Sequence, residues 1–189
     1  MNISSFGEDG WLIAVDDPIA VATAIDARRL DDVVPGQSHV LLRGRRTEVE
    51  AALASLADVP TRRQPRAPIV LAAVWDGPDL GGVADSAGTS QADVVETMRG
   101  STFTVAFCGF APGFGYLTGV DERLHLPRRE RPRASVPAGA IAIAAGYCAV
   151  YPTSSPGGWH LLGTCDATLF SPYRDPPSLL RPGDRVRFT

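Results

Sequence analysis

Short apolar runs separated by glycine and proline make up most of the chain after residue 68. They begin with Ile69–Trp75, which has the pattern of a buried strand, and continue through TFTVAF, AIAIAA, CAVYP, HLLG and RVRF. A short helix is expected among them, capped by Ser90 and Asp93. Closely spaced strands with little helix predict a β-barrel or a β-sandwich for this part of the chain.

The first third of the chain has a different pattern, which predicts a small βαβα unit. Strand-like segments at Trp11–Val15 and His39–Gly44 each precede a helical pattern. Asp17–Pro18 supplies an N-cap followed by a proline at the first helical position. The proline- and arginine-rich segment Val59–Pro68 is interpreted as a linker. We therefore expect two domains, residues 1–66 and 67–189.

Composition excludes several classes of function. All 18 basic residues are arginine, so the chain has no Schiff-base, P-loop, biotinylated or Ser-Lys catalytic lysine. The formal net charge of -3 argues against non-specific nucleic-acid binding. The three cysteines lack C-x-x-C spacing, which predicts neither disulfides nor a metal site and favours a cytoplasmic location. With Glu8 and Asp9 near its start and no long apolar run, the chain is expected to have no signal peptide and no membrane span.

Three loops carry the candidate functional residues. The first, FCGFAPGFGYLTGV (Phe107–Val120), places aromatic rings that either wall a pocket or plug the end of a barrel. The second, Asp121–Ile141, holds five arginines, which either bind a carboxylate or phosphate or form a solvated basic loop. The third, Tyr151–Gly163, either presents backbone N–H groups to an anion or forms a tight hairpin. Within it, His160 is a candidate acid–base group, with a structural role as the alternative.

Taken together, the three loops resemble the allophanate hydrolase subunit 1 or KipI-like family, which includes the B-type subunit of the prokaryotic 5-oxoprolinase. The matching segments are GFAPGFGYL (Gly109–Leu117), PRRERPRASVPAGAIAIA (Pro127–Ala144), YPTSSPGGWHLLG (Tyr151–Gly163) and a final LLRPGDRVRF. The resemblance implies an α+β chain with a small N-terminal α/β (ferredoxin-like) domain followed by a cyclophilin-like β-barrel. Residues that depart from the usual family pattern are Met98, Ala140, Tyr147 and His160.

The resemblance also implies a function. It is that of one component of an ATP-dependent 5-oxoprolinase, which opens the lactam of 5-oxoproline to give glutamate. The implied partners are a homologous barrel subunit, like allophanate hydrolase subunit 2 or the C-type subunit of 5-oxoprolinase, and a third subunit. ATP is expected to bind to the complex and not to a P-loop on this chain. The alternatives are a KipI-like inhibitor of a sensor histidine kinase and a component of a urea carboxylase or allophanate hydrolase-like complex.

The family pattern and the paired prolines select particular residues. Arg128 and Arg133 each follow a proline and match the pattern, whereas Arg129 and Arg131 fall at variable positions and are expected to be solvated. The predicted catalytic residues are His160, Arg128 and Arg133, and the predicted substrate-binding residues are Phe114, Tyr116, Tyr151, Ser155, Gly157 and Gly158. The partner barrel is expected to cover the aromatic loop.

Overall fold

The chain divides into two compact units, Met1–Pro65 and Arg66–Thr189. The computed structural model describes residues 3–25, 30–54 and 67–189. Most of the predicted linker, Val59–Pro68, lies outside the described residues. The domain boundary between residues 66 and 67 therefore stays a prediction.

The first unit contains a four-stranded antiparallel sheet and two helices. Its elements are β1 (Ile3–Phe6), β2 (Gly10–Ala14), α1 (Pro18–Ala24), β3 (Asp32–Pro35), β4 (His39–Arg43) and α2 (Arg46–Ala54). The strand order is β1-β2-β4-β3, so β1 and β3 are additions to the predicted βαβα unit. Helix α1 begins as predicted, because Asp17 accepts a hydrogen bond from the Ala20 N–H (2.9 Å) and Pro18 is the first helical residue.

The second unit contains ten strands and two α-helices within the described residues. These are β5 (Ile69–Leu71), β6 (Ala73–Val74), α3 (Leu80–Ala87), α4 (Gln91–Gly100), β7 (Phe103–Cys108), β8 (Gly115–Thr118), β9 (Arg133–Val136), β10 (Ala140–Ala144), β11 (Tyr147–Val150), β12 (Ser155–Gly157), β13 (His160–Cys165) and β14 (Arg185–Phe188), with a 3-10 helix at Glu122–Leu124. The Ser90–Asp93 capping box predicted for α4 is present. Strands β9 and β12 form a separate two-stranded ribbon.

Eight of these strands form a mixed sheet that nearly closes on itself. Its order is β5-β14-β7-β8-β11-β10-β13-β6, in which β5 and β14 are parallel and the other neighbours are antiparallel. The two edge strands, β5 and β6, are separated by a single residue, Ala72. The sheet must therefore bend round until its edges meet at this point, which confirms the predicted barrel over the alternative of a sandwich.

Strand β10 is buried on both faces and separates two clusters of side chains. Its sequence AIAIA alternates, so Ile141 and Ile143 point into the barrel core. The alanines between them lie on the opposite face, beneath a layer of aromatic rings that includes Phe114, Tyr151 and Trp159. Small side chains on this outer face leave room for the rings, and the candidate site is built on this layer.

Candidate active site

The aromatic layer is centred on Phe114 of the first loop. Its ring centroid lies 5.2 Å from that of Phe110, 5.0 Å from Tyr116, 5.3 Å from Tyr151 and 5.8 Å from Trp159, mostly in edge-to-face geometry. Phe114 itself is buried, whereas the Phe110 ring at the rim remains 63% exposed. The rings of the first loop therefore pack mostly against the outer face of the barrel wall and line a niche there, and one ring faces outward.

Two glycines allow close contacts in and beside this layer. Gly113 has φ +83°, and a Cβ there would lie 2.8 Å from the Cβ of Phe170. A Cβ on Gly157 would collide with the hydroxyl of Tyr151 and lie 3.1 Å from Val136 Cγ2. The glycine–proline pattern of the sequence thus reflects close contact between loops.

The rings and the glycines enclose a niche of about 70 Å³ on the outer face of the barrel. Its lining residues are Phe110, Phe114, Tyr116, Arg128, Tyr151, Pro156, Gly157, Gly158 and Trp159. Six of the nine predicted site residues are in this set. The other three, Arg133, Ser155 and His160, are not among the lining residues.

Arg128 brings a positive charge to the niche. Its side chain is exposed, and within the described residues no carboxylate forms an ion pair with it. Burial raises the pKa of the Tyr151 hydroxyl, while the charges of Arg128 and Arg133 act in the opposite direction. Tyr151 is therefore a neutral hydrogen-bond donor at neutral pH, beside a guanidinium that is available to an anion.

Two neighbouring arginines are paired with Asp79, which lies just before α3. Asp79 Oδ1 accepts hydrogen bonds from Arg129 Nη1 (2.7 Å) and Arg133 Nη2 (2.8 Å), and Oδ2 accepts one from the Leu161 N–H (2.7 Å). The prediction that Arg129 is solvated is therefore wrong, because a carboxylate 50 residues away in sequence binds it. Arg131 is exposed, and no ion pair to it is found in the described part of the chain.

Asp79 is ionised at neutral pH. Burial alone would raise its pKa, but the hydrogen bonds from Arg133 and the Leu161 N–H, together with the charges of both arginines, lower the pKa below its usual value. Sequence reasoning missed this residue. The one available signal was the run of arginines itself, since closely spaced cations favour a carboxylate nearby.

His160 contacts the arginine segment and not the niche. Its Nε2 donates a hydrogen bond to the carbonyl oxygen of Pro127 (2.9 Å), so this nitrogen carries the proton. The contact places His160 behind the backbone that carries Arg128. Ser155 lies on the ribbon strand β12, and its buried Oγ has no hydrogen-bond partner among the described residues.

The niche by itself cannot enclose the triphosphate of ATP. The niche is much smaller than the roughly 300–1,000 Å³ of pockets that enclose a ligand. A larger groove of about 570 Å³ lies between β6 and α4 and is lined mainly by apolar side chains. Arg99, the cation in its lining, lies 3.6 Å from the carboxylate of Glu96. Within residues 3–25, 30–54 and 67–189 we find no group of side chains suited to a metal ion. In the same residues, no helix has the length and apolar character needed to cross a membrane.

The fold and the site together define a class of protein. It is a nearly closed mixed barrel of eight strands, whose outer face carries an aromatic layer and an arginine-bearing niche. Residues 1–180 match the model of one family, the carboxyltransferase domain, subdomains C and D. The chain belongs to this family.

Curated relatives are similar over most of the chain. The B-type subunit of 5-oxoprolinase from Escherichia coli O157:H7 is 37% identical over 202 aligned positions, covering 96% of this chain and 92% of the relative. The B-type subunit of 5-oxoprolinase from Bacillus subtilis (strain 168) is 41% identical over 143 positions, covering 75% of this chain and 59% of the relative.

Solved structures share the fold. The structure of TTHA0988 superposes with a TM-score of 0.83 at 34% identity and covers 95% of this chain, which in turn spans 40% of TTHA0988. The urea carboxylase of Kluyveromyces lactis superposes with a TM-score of 0.70 over 99% of this chain and 21% of its own. At 16% identity, this second likeness concerns the fold alone.

Proposed function

We propose that the chain is one component of an ATP-dependent 5-oxoprolinase, which opens the lactam of 5-oxoproline to give glutamate. The observation that carries this proposal is the set of curated relatives named as the B-type subunit of 5-oxoprolinase, at 37% to 42% identity. The relative from E. coli matches over nearly its whole length, so the likeness is not confined to one motif. The carboxylate of 5-oxoproline suits a site that offers a free guanidinium and a neutral tyrosine hydroxyl.

In this proposal Arg128 makes the direct contact with the substrate. It is the one residue among the three predicted catalytic residues that lines the niche. Its guanidinium binds the carboxylate or the negative charge that develops when the lactam carbonyl is attacked. Arg133 and His160 hold the backbone on either side of it, through Asp79 and Pro127 respectively. Tyr151 donates a hydrogen bond from the floor of the niche.

A niche of about 70 Å³ receives one polar group of a substrate and leaves the rest outside. We therefore propose that a homologous barrel protein, like the C-type subunit of 5-oxoprolinase, closes the site and covers the exposed ring of Phe110. An exposed ring beside a polar site is typical of a surface that a partner buries. The cytoplasmic complex also includes a third subunit, and ATP binds there and not on this chain. The N-terminal unit is proposed to be a variant of the ferredoxin-like arrangement.

The test is reconstitution from purified proteins. The chain is combined with the homologous barrel protein and the third subunit, and ADP release is measured with and without 5-oxoproline. We expect 5-oxoproline-dependent ADP release from the full set and none from this chain alone. Light scattering should show a complex of this chain with the homologous barrel protein. Turnover by the isolated chain, or a full set that forms no complex and shows no turnover, would refute the proposal.

The two alternatives predicted from the sequence receive less support. The likeness to urea carboxylase is one of fold. Inhibition of a sensor histidine kinase stays a prediction, and it can be distinguished from the 5-oxoprolinase role by the effect of removing Arg128. An inhibitor would bind the kinase whether or not Arg128 is present, since that role does not require the niche.

A further inference from the structure

The loop that carries Asp79 is held against strand β13 by backbone contacts. Gly77 donates a hydrogen bond to the carbonyl of Leu162 (3.0 Å), and Asp79 donates one to the carbonyl of Leu161 (3.1 Å). A Cβ on Gly77 would overlap the β13 backbone, so the loop lies closer to the strand than any residue with a side chain at position 77 would permit. The carboxylate of Asp79 is therefore fixed in position by the barrel wall.

The arginine segment, residues 127–133, is held by four hydrogen bonds to its surroundings, in addition to the pairing of Arg133 with Gly157 in the β9–β12 ribbon. The Pro127 carbonyl accepts the hydrogen bond from His160, and the Arg129 N–H donates to the Gly158 carbonyl (2.7 Å). The guanidinium groups of Arg129 and Arg133 both bind Asp79. Arg128 lies between two attached residues, and its own side chain is the one left free to enter the niche.

One carboxylate therefore holds two of the four arginines of this segment, and of the other two only Arg128 lines the niche and is left for the ligand. We propose that Asp79 is a positioning residue, which sets the distance between the arginine segment and the niche and thereby aims Arg128 at the bound anion. The catalytic part of this inference rests on the proposed function, but the structural part does not. Both carboxylate oxygens are used, so the position tolerates no exchange of an oxygen for an N–H group.

Asp79→Asn keeps the shape of the side chain but removes the negative charge and the ability to accept all three hydrogen bonds. Wherever its amide points, the NH₂ group faces either two guanidinium groups or the Leu161 N–H, which are all donors. The matched control is Val83→Ala, on α3 in the barrel core, which lowers stability without touching an arginine. The two variants are compared at a temperature at which both are fully folded, as judged from their melting curves.

The first measurement is limited proteolysis of the full chain with trypsin, which cleaves after arginine. In the wild-type chain the side chain of Arg129 is bound to Asp79, and its backbone N–H is bound to the Gly158 carbonyl. We expect Asp79→Asn to accelerate cleavage after Arg129 by about tenfold or more, since proteolysis follows local opening, while Val83→Ala changes it by less than about twofold. Equal acceleration by both variants, or an unchanged rate in Asp79→Asn, would overturn the proposal. This measurement requires no activity, so it decides the role of Asp79 even if the proposed function fails.

The second measurement is a double-mutant cycle on the reconstituted complex, with Arg128→Ala as the other variant. If Asp79 acts through Arg128, then Asp79→Asn lowers kcat/KM by on the order of tenfold or more in the wild-type background. In the Arg128→Ala background it should lower kcat/KM by about twofold or less, because the side chain it positions is already gone. Equal losses in both backgrounds would show a merely structural role. Absence of turnover by the wild-type complex would count against the proposed function and leave the result of the proteolysis standing.

Discussion

Replacement of Arg128 by alanine tests the site most directly. The side chain is exposed and makes no ion pair within the described residues, so its removal should change the free energy of unfolding by less than about 0.5 kcal/mol. For a chain of 189 residues this is a shift in Tm of about 2 °C or less. Loss of a charge-assisted hydrogen bond to a bound anion should cost about 1.5–3 kcal/mol. That corresponds to a fall in kcat/KM of about ten- to a hundredfold.

The assay is steady-state ADP release by the reconstituted complex as a function of 5-oxoproline concentration, with Tm measured on the same preparations. A rise in KM at constant kcat would mean that Arg128 binds the substrate carboxylate equally in the ground state and the transition state. A fall in kcat would mean that Arg128 stabilises negative charge that develops during the reaction.

Arg131→Ala is the matched control, because Arg131 is also exposed and belongs to the same segment but does not line the niche. It should leave both kcat/KM and Tm nearly unchanged. The reasoning is refuted if Arg131→Ala is as harmful as Arg128→Ala. It is also refuted if the loss of activity in Arg128→Ala simply follows a large fall in Tm, since the side chain would then be structural.

Three further predictions follow from the packing and the charges. Gly157→Ala should lower the free energy of unfolding by about 1–3 kcal/mol, because the new methyl group collides with the Tyr151 hydroxyl. Gly82→Ala is the control: it lies in α3, no atom is within 4 Å of the new methyl group, and it should raise the free energy of unfolding by about 0.5–1 kcal/mol. A Tm for Gly157→Ala equal to that of the wild type would contradict the close contact. The stability that Asp79 contributes should be constant above about pH 5 and disappear as the pH falls below about 4, because its pKa is lower in the folded chain than in the unfolded chain. The Tm difference between wild type and Asp79→Asn should therefore narrow in acid. A difference that widens there would contradict the lowered pKa of Asp79 in the folded chain. Burial raises the pKa of the fully buried Cys148 thiol, so this thiol should not react with a disulfide reagent in the native chain at neutral pH, whereas all three cysteines should react after unfolding.

Local signals in the sequence were sufficient for the features that depend on a few neighbouring residues. The start of α1 at Asp17–Pro18 and the capping box of α4 at Ser90–Asp93 both involve contacts over three or four positions, and both are present. Strand β1 was not predicted because its sequence, ISSF, is exposed throughout and has no buried face to reveal it. The alternation of β10 was visible as an apolar run, but its two separate environments were not.

The candidate site shows where such reasoning ends. The repeated Pro-Arg pattern drew attention to Arg128 and Arg133, but whether a side chain is solvated depends on what lies opposite it. Asp79 is separated from Arg129 by 50 residues and from Arg133 by 54, and only the closure of the barrel brings them together. His160 illustrates the same point, since the spacing of residues could not show that its ring faces the Pro127 carbonyl and not the niche.

The alternation of isoleucine and alanine along β10 has a consequence for how the molecule folds. A slip of one residue in the pairing of this strand would turn the isoleucines toward the aromatic layer and the alanines into the barrel, so both packing clusters would be lost at once. The register of β10 is therefore specified independently from its two sides. Neither cluster can be completed in the wrong register, and the aromatic layer cannot assemble on an unpaired strand. The niche and the barrel should consequently form in a single cooperative step, with no stable species that has a closed barrel and a disordered site.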